Sequence, residues 1–241
     1  MLLFTNRSYG IGTVYAGRML VHSLVRAYVC KMRCNLIYFG LGFRTQAETF
    51  APIRLHFAIN NHSSKDVEAI IAKTSDLNFF VLGNTPLTLS IIRERFDVAL
   101  ALITAGAAVS LPENTKWRRQ PIHFASQAAS ETVMRAIVDK DSAALHATDA
   151  MLFTPLHWAA IGGHTRFARH LINAGAHVNV KDDRGRTPLF RAAEHGRVDT
   201  ILFLREAGGL VNCRDNFGWT PLFHNIVCQQ TGIQVYFQLP G

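Results

Sequence analysis

A repeat with a period of 33 residues constrains the fold of this chain more than any other feature of its sequence. A Thr-Pro-Leu triplet at Thr154 recurs 33 residues later at Thr187 and, after 33 more, at Thr220. Alanine pairs, glycines and Val-Asn pairs recur in the same register between the triplets. One unit of this length cannot bury its own apolar face, so neighbouring units have to stack.

Each unit carries the signals that start and stop two helices. A threonine such as Thr154 caps a helix by accepting backbone N–H bonds, and a proline at the first helical position loses no hydrogen bond there. Gly163 separates the two helices of its unit, and Gly175 suits the end of the second helix, where a positive φ is usual. Residues 182–185 have the composition of a turn tip. One unit earlier Leu152 stands where the turn glycine belongs, which predicts a distorted loop.

With Thr-Pro-Leu-His-x-Ala at residues 154–159 and a period of 33, the chain resembles the ankyrin repeat family. The resemblance implies an all-α solenoid of stacked helix-turn-helix units with short β-hairpin fingers, and a hydrogen bond between Thr154 and His157. About six units are expected, of which the first and last are degenerate and the last is truncated. They start near residues 54, 85, 120, 154, 187 and 220.

Residues 1–50 lie outside the repeat and are interpreted as a basic segment that precedes a repeat domain at residues 51–241. The segment holds six Lys or Arg and one acidic residue, whereas residues 51–241 hold nineteen and sixteen. Most of the net charge of +8 is therefore N-terminal. Residues 17–29 predict an amphipathic helix with Arg18, His22 and Arg26 on one face. Three roles stay open for this helix: covering the end of the repeat stack, mitochondrial targeting, and contact with an anionic membrane.

The sequence contains none of the motifs on which catalysis or cofactor binding usually depends. It has neither a glycine-rich phosphate loop nor a G-x-S-x-G nucleophile turn. Four histidines crowd one unit but fall at different repeat positions, and the four cysteines are not spaced like metal ligands. We therefore predict no enzyme activity, no cofactor and no metal. The histidines are His157, His164, His170 and His177, and the cysteines are Cys30, Cys34, Cys213 and Cys228.

The resemblance implies that the concave face, formed by the fingers and the first helix of each unit, binds another protein. We interpret the chain as a non-catalytic scaffold or adaptor that is monomeric and cytoplasmic, with the nucleus as an alternative location. The alternative function is a membrane-associated or organelle-targeted protein that acts through residues 17–29. Trp and Arg are the residue types most often dominant in interfaces. The candidate partner-binding residues are Phe153, Trp158, Arg184, Arg186, Arg191, Glu194, Phe217 and Trp219.

Two further expectations concern these candidates. Arg184, Arg186 and Trp219 stand beside the turn glycines of adjacent units and are expected to form one exposed patch. Trp158 and Phe217 have an alternative role, which is packing between neighbouring units. Nucleic acid is disfavoured as a partner because residues 51–241 carry a charge balance of only +3.

Overall fold

The computed structural model describes residues 46–61 and 64–227. Within them the backbone forms α-helices and one short 3-10 helix, Ser142–His146, and no β-strand. The all-α class is confirmed, while the fingers are tight turns in which only Val81 and Asn84 form an isolated bridge. The α-helices are α1 (Gln46–Asn61), α2 (Ser64–Ile71), α3 (Pro86–Ile92), α4 (Phe96–Thr104), α5 (Pro121–Gln127), α6 (Glu131–Lys140), α7 (Pro155–Gly162), α8 (Thr165–Asn173), α9 (Pro188–Glu194), α10 (Val198–Glu206) and α11 (Pro221–Val227).

The helices stack in two layers, as the 33-residue period requires. The first helices of successive units contact one another in the order α3, α5, α7, α9 and α11. The second helices form the other layer, with contacts from α2 to α4, α4 to α6, and α8 to α10. Each unit therefore packs mainly on its sequence neighbours, which is the packing of a helical repeat solenoid.

The helix starts follow the capping chemistry read from the sequence. Proline occupies the first position of α3, α5, α7, α9 and α11. Thr187 Oγ1 accepts a hydrogen bond from the backbone N–H of Phe190 at 3.3 Å. Thr154 Oγ1 lies 2.9 Å from His157 Nδ1, so the hydrogen bond implied by the resemblance is present. Gly163 ends α7 with φ of +76°, which a side chain would strain.

The core lies between the two helix layers. Small residues bring the first helices close together: Ala159, Ala160, Ala192 and Ala193 are completely buried. Larger aliphatic side chains fill the space behind them and exclude water, which supplies the main driving force for stacking. The larger buried aliphatic residues in these units are Leu156, Leu171, Leu189, Ile201 and Leu204.

Several predictions concern residues outside the described ranges. They are the basic amphipathic helix at residues 17–29, its three roles, and the truncated end of the last unit beyond residue 227. The boundary between residues 1–50 and 51–241 stays a prediction. In the part of the chain that the structure describes, no helix is both long enough and apolar enough to cross a membrane.

Candidate interaction surface

Five loops that precede the first helices lie side by side and form a continuous row. We call them the finger row: residues 81–84, 113–119, 149–153, 181–186 and 214–219. Backbone hydrogen bonds join each finger to the next, which fixes the order and spacing of the fingers. These bonds are Asn114 N to Gly83 O (2.8 Å), Ala150 N to Trp117 O (2.8 Å), Asp183 N to Met151 O (3.1 Å) and Asn216 N to Arg184 O (2.9 Å).

A buried aspartate closes each of the last three fingers. Asp182 Oδ1 accepts hydrogen bonds from the backbone N–H groups of Arg184 at 2.9 Å and Arg186 at 3.0 Å. Asp149 and Asp215 occupy the same repeat position and make the same pair of bonds. Since carboxylate acceptors strengthen hydrogen bonds, these aspartates hold the turns rigid.

The second oxygen of each aspartate binds a long side chain from a neighbouring element. Asp149 accepts from the indole N–H of Trp158 at 3.2 Å. Asp182 pairs with Arg191 Nε at 2.7 Å. Asp215 pairs with Nε of Arg186, from the preceding finger, at 3.1 Å. The aspartates therefore also fasten the fingers to the first helices and to one another.

Glu194 extends these pairs into one buried ionic network. Its two carboxylate oxygens pair with Arg186 Nη1 at 2.9 Å and with Arg191 Nη1 at 2.7 Å. Burial pushes the pKa of Glu194 upward, but the guanidinium groups of Arg191 and Arg186 outweigh it and hold the pKa below its ordinary value. The Arg191 guanidinium also lies 4.6 Å from the ring centroid of Phe153, a cation–π contact. The network and the Phe153 ring together connect the last three fingers to α9.

Two histidines connect their helices to the following finger. His157 Nδ1 accepts from the backbone N–H of Thr154 at 3.1 Å, so the proton resides on Nε2, which donates to the carbonyl of Arg186 at 3.1 Å. One unit earlier, His123 Nδ1 accepts from the backbone N–H of Gln120 at 2.9 Å, and its Nε2 lies 3.1 Å from the carbonyl of Ala147, just before the next finger. Burial lowers the pKa of His157 to about 4, so the ring is neutral near pH 7.

The crowded histidines of this unit do not converge. His164 Nε2 lies 3.0 Å from the carbonyl of Gln127. His170 instead pairs with Glu131 at 2.9 Å, and the ring of His177 lies 4.6 Å from that of His146. Among the described residues, no group of three or more His, Cys, Asp or Glu side chains could hold a metal ion.

The structure separates the eight sequence candidates by exposure. Phe153, Arg186 and Arg191 are buried, at 4 to 6 % exposure. Trp158, Glu194 and Trp219 are half-buried, and only Arg184 and Phe217 are exposed. The expected patch of Arg184, Arg186 and Trp219 is therefore wrong for Arg186, because Asp215 and Glu194 draw its guanidinium inward. Contact between any of the eight and a partner stays a prediction.

Sequence reasoning missed three exposed apolar residues at the finger tips. Leu82 is 69 % exposed, Trp117 is 40 % and Leu152 is 48 %. A signal was available, because Leu82 and Trp117 stand four residues before the first proline of their helices, the position that Phe217 also occupies. The expected distortion at Leu152 is absent: this residue adopts φ of 59°, and its finger keeps the Asp149 N to Phe153 O bond at 3.1 Å.

Comparisons with known proteins agree with this geometry. Residues 156–205, which run from α7 through most of α10, match the family model of ankyrin repeats (many copies). Alpha-latrocrustotoxin-Lt1a from Latrodectus tredecimguttatus is 28 % identical over 120 residues. That alignment covers 48 % of this chain but only 8 % of the toxin. The chain therefore spans less than a tenth of the length of this relative.

Proposed function

Since this chain carries ankyrin repeats, we propose that it is a non-catalytic protein-interaction module, a scaffold or adaptor, that binds its partner through the finger row. The observation that carries the proposal is the contrast between the base and the tips of the fingers. Hydrogen bonds and buried ion pairs fix the base, whereas the tips expose large apolar side chains. A rigid surface loses little entropy on binding, which favours affinity.

The exposed side chains are of the types that anchor interfaces. Trp117 and Phe217 offer large apolar areas, and Arg184 stands between them in the finger order. Aromatic and arginine side chains are enriched among the residues that dominate protein interfaces. Trp219 extends the surface toward the last helix, with its ring 5.5 Å from that of Phe223.

Three titratable groups with a lowered pKa, His123, His157 and Glu194, favour a structural role over catalysis. In His123 and His157, both ring nitrogens form hydrogen bonds to backbone groups. Glu194 is held between two arginines. A general acid or base needs a free position toward a substrate, and these groups are committed to holding the fingers.

The test is a crosslinking pull-down with the full chain as bait. The proteins captured by the unchanged chain are compared with those captured by two matched double variants. Trp117→Ser with Phe217→Ser removes apolar area from the finger row. Ile92→Ser with Leu210→Ser removes apolar area outside the finger row, at positions that are 44 % and 55 % exposed. We expect the first pair to lose the captured proteins and the second to retain them. Retention by the first pair would refute binding through the finger row.

The proposal includes a cytoplasmic location and a monomeric state. Imaging of a fluorescent fusion tests the location, and sedimentation velocity tests the state. The same imaging with residues 1–45 deleted separates the alternative, in which the basic N-terminal segment directs the protein to a membrane or organelle. Relocation on deletion would favour that alternative.

A further inference from the structure

We propose that the finger row is a docking strip for an extended, acidic segment of a partner protein that also carries large apolar side chains. This inference rests on the proposed function and names the chemistry of the partner. Three features of the row support it: the placement of its charges, the side chains at its tips, and its linear order.

Four of the five carboxylates of the finger row are buried, and only Asp183 is exposed. Glu113, Asp149, Asp182 and Asp215 are each only 4 to 6 % exposed. Glu113 pairs with Arg119 Nε at 2.9 Å, and the three aspartates are occupied by the bonds described above. These four carboxylates are therefore paired within the protein and are not exposed to a partner.

Five of the seven cations of the row are exposed instead, the exceptions being Arg119 and Arg186. The exposed charged residues of the described fingers are Lys116, Arg118, Lys181, Arg184 and Arg214 on the basic side and Asp183 on the acidic side. The exposed charge is thus +5 and −1, although residues 51–241 together carry only +3. A strip of one sign steers and orients a partner of the other sign, and Arg can grip a carboxylate with two parallel hydrogen bonds.

The tips carry large side chains where glycine would cost less. Arg118 and Leu152 adopt φ of 50° and 59° at the position that Gly185 and Gly218 fill in the last two fingers. A left-handed conformation costs a non-glycine residue about 1 kcal/mol. Exposed side chains bury too little area here to recover that cost within the free protein. Strain kept at a surface position therefore indicates a functional use for these side chains.

The linear order of the fingers suits an extended occupant. The tips from Leu82 to Phe217 follow one another through backbone hydrogen bonds between neighbouring loops. Each finger has two chain arms, so successive tips lie about 10 Å apart if the arms keep the usual spacing of paired chains. An extended chain advances about 3.3 Å per residue, and about 12 residues therefore cover the row.

The first experiment selects peptides without assuming a partner. A phage library of random 12-residue peptides is panned on the full chain at physiological salt. We expect enrichment of peptides with net negative charge and at least one aromatic or large aliphatic residue. Enrichment of neutral or basic peptides would overturn the proposal.

The second experiment locates the binding surface with matched charge reversals. The enriched peptide carries a fluorescent label and is titrated with two double variants of the protein. The finger pair is Lys116→Glu with Arg184→Glu, and the control pair is Lys140→Glu with Arg166→Glu. Both pairs change the charge equally, and Arg166, on α8 outside the row, has an 87 % exposed side chain. We expect the finger pair to weaken binding about tenfold or more and the control pair less than about threefold. Equal effects would show attraction to overall charge and would refute a strip.

A third variant separates binding from stability. Leu152→Gly relieves the left-handed strain, so the melting temperature should stay unchanged or rise, while the peptide affinity should fall about fivefold. Unchanged affinity would remove Leu152 from the strip.

Competition distinguishes the partner class. A 20-nucleotide single-stranded DNA or anionic phosphatidylserine vesicles should displace the peptide only at much higher concentration. Displacement by either probe at equal concentration would assign the strip to nucleic acid or to membrane. If the pull-down partners depend on Trp117 and Phe217 while the selected peptides are not acidic, the proposed function stands and the partner chemistry fails.

Discussion

Replacing Arg186 with methionine should destabilise the protein strongly, although its sequence position beside a turn glycine suggests a surface residue. Methionine keeps most of the apolar stem but removes the guanidinium. Arg186 Nε is 3.1 Å from Asp215 Oδ2, and Nη1 is 2.9 Å from Glu194 Oε1. The Asp215 side chain has no exposed surface, and 20 % of the Glu194 side chain is exposed. The substitution therefore leaves a buried carboxylate without its countercharge.

The remaining contacts set the magnitude of the loss. Removing one partner of a buried ion pair costs about 3–5 kcal/mol. Asp215 keeps two backbone N–H donors, and Glu194 keeps Arg191, so the lower end applies. We expect a loss of about 3 kcal/mol in the free energy of unfolding. For a domain of this size the melting temperature should fall by about 6–12 °C.

Urea denaturation followed by circular dichroism measures this loss. The matched control is Arg184→Met, two residues earlier, where the side chain is exposed and the free energy of unfolding should change by less than about 0.5 kcal/mol. Equal stability of the two variants would refute the buried network as a stabilising element. A binding defect in Arg184→Met without a stability loss would further support a surface role for this residue.

Three other predictions follow from the same contacts. Acidification should destabilise the protein through His157: its folded pKa is about 4, against about 6.5 when unfolded. The contribution of neutral His157 to the free energy of unfolding is complete above pH 6.5 and declines as the pH falls toward 4. In urea denaturation, the stability of His157→Gln should therefore depend less steeply on pH than that of the unchanged protein. An equally steep dependence would contradict the assignment. Gly163→Ala should cost about 1–2 kcal/mol, because φ is +76° and the added Cβ would lie 2.8 Å from Arg197 Cδ; an unchanged urea midpoint would contradict this. Amide exchange should be slowest in α7–α10, which keep the fullest repeat motif, and faster exchange there than in α3–α4 would oppose it.

The repeat architecture was predictable because its signals are local. Thr154 and Pro155 start a helix through contacts within one turn, and Gly163 ends it through its own backbone freedom. Repetition of these signals every 33 residues then requires stacking. The candidate surface was only partly predictable. Phe217 is exposed as a contact residue should be, but the exposure of Leu82 and Trp117 was not predicted, because it depends on how the units stack.

The sequence by itself determined the period, the helix starts and the apolar positions that must be buried. Only the tertiary structure decided which of two neighbouring arginines faces solvent. Arg184 points outward, whereas Arg186 reaches Asp215, 29 residues away in the next unit. That distance in sequence is the physical reason: helix caps act over a few residues, but an ion pair between units exists only once the units have stacked. The same stacking buries four of the five finger carboxylates and leaves the exposed charge of the finger row positive.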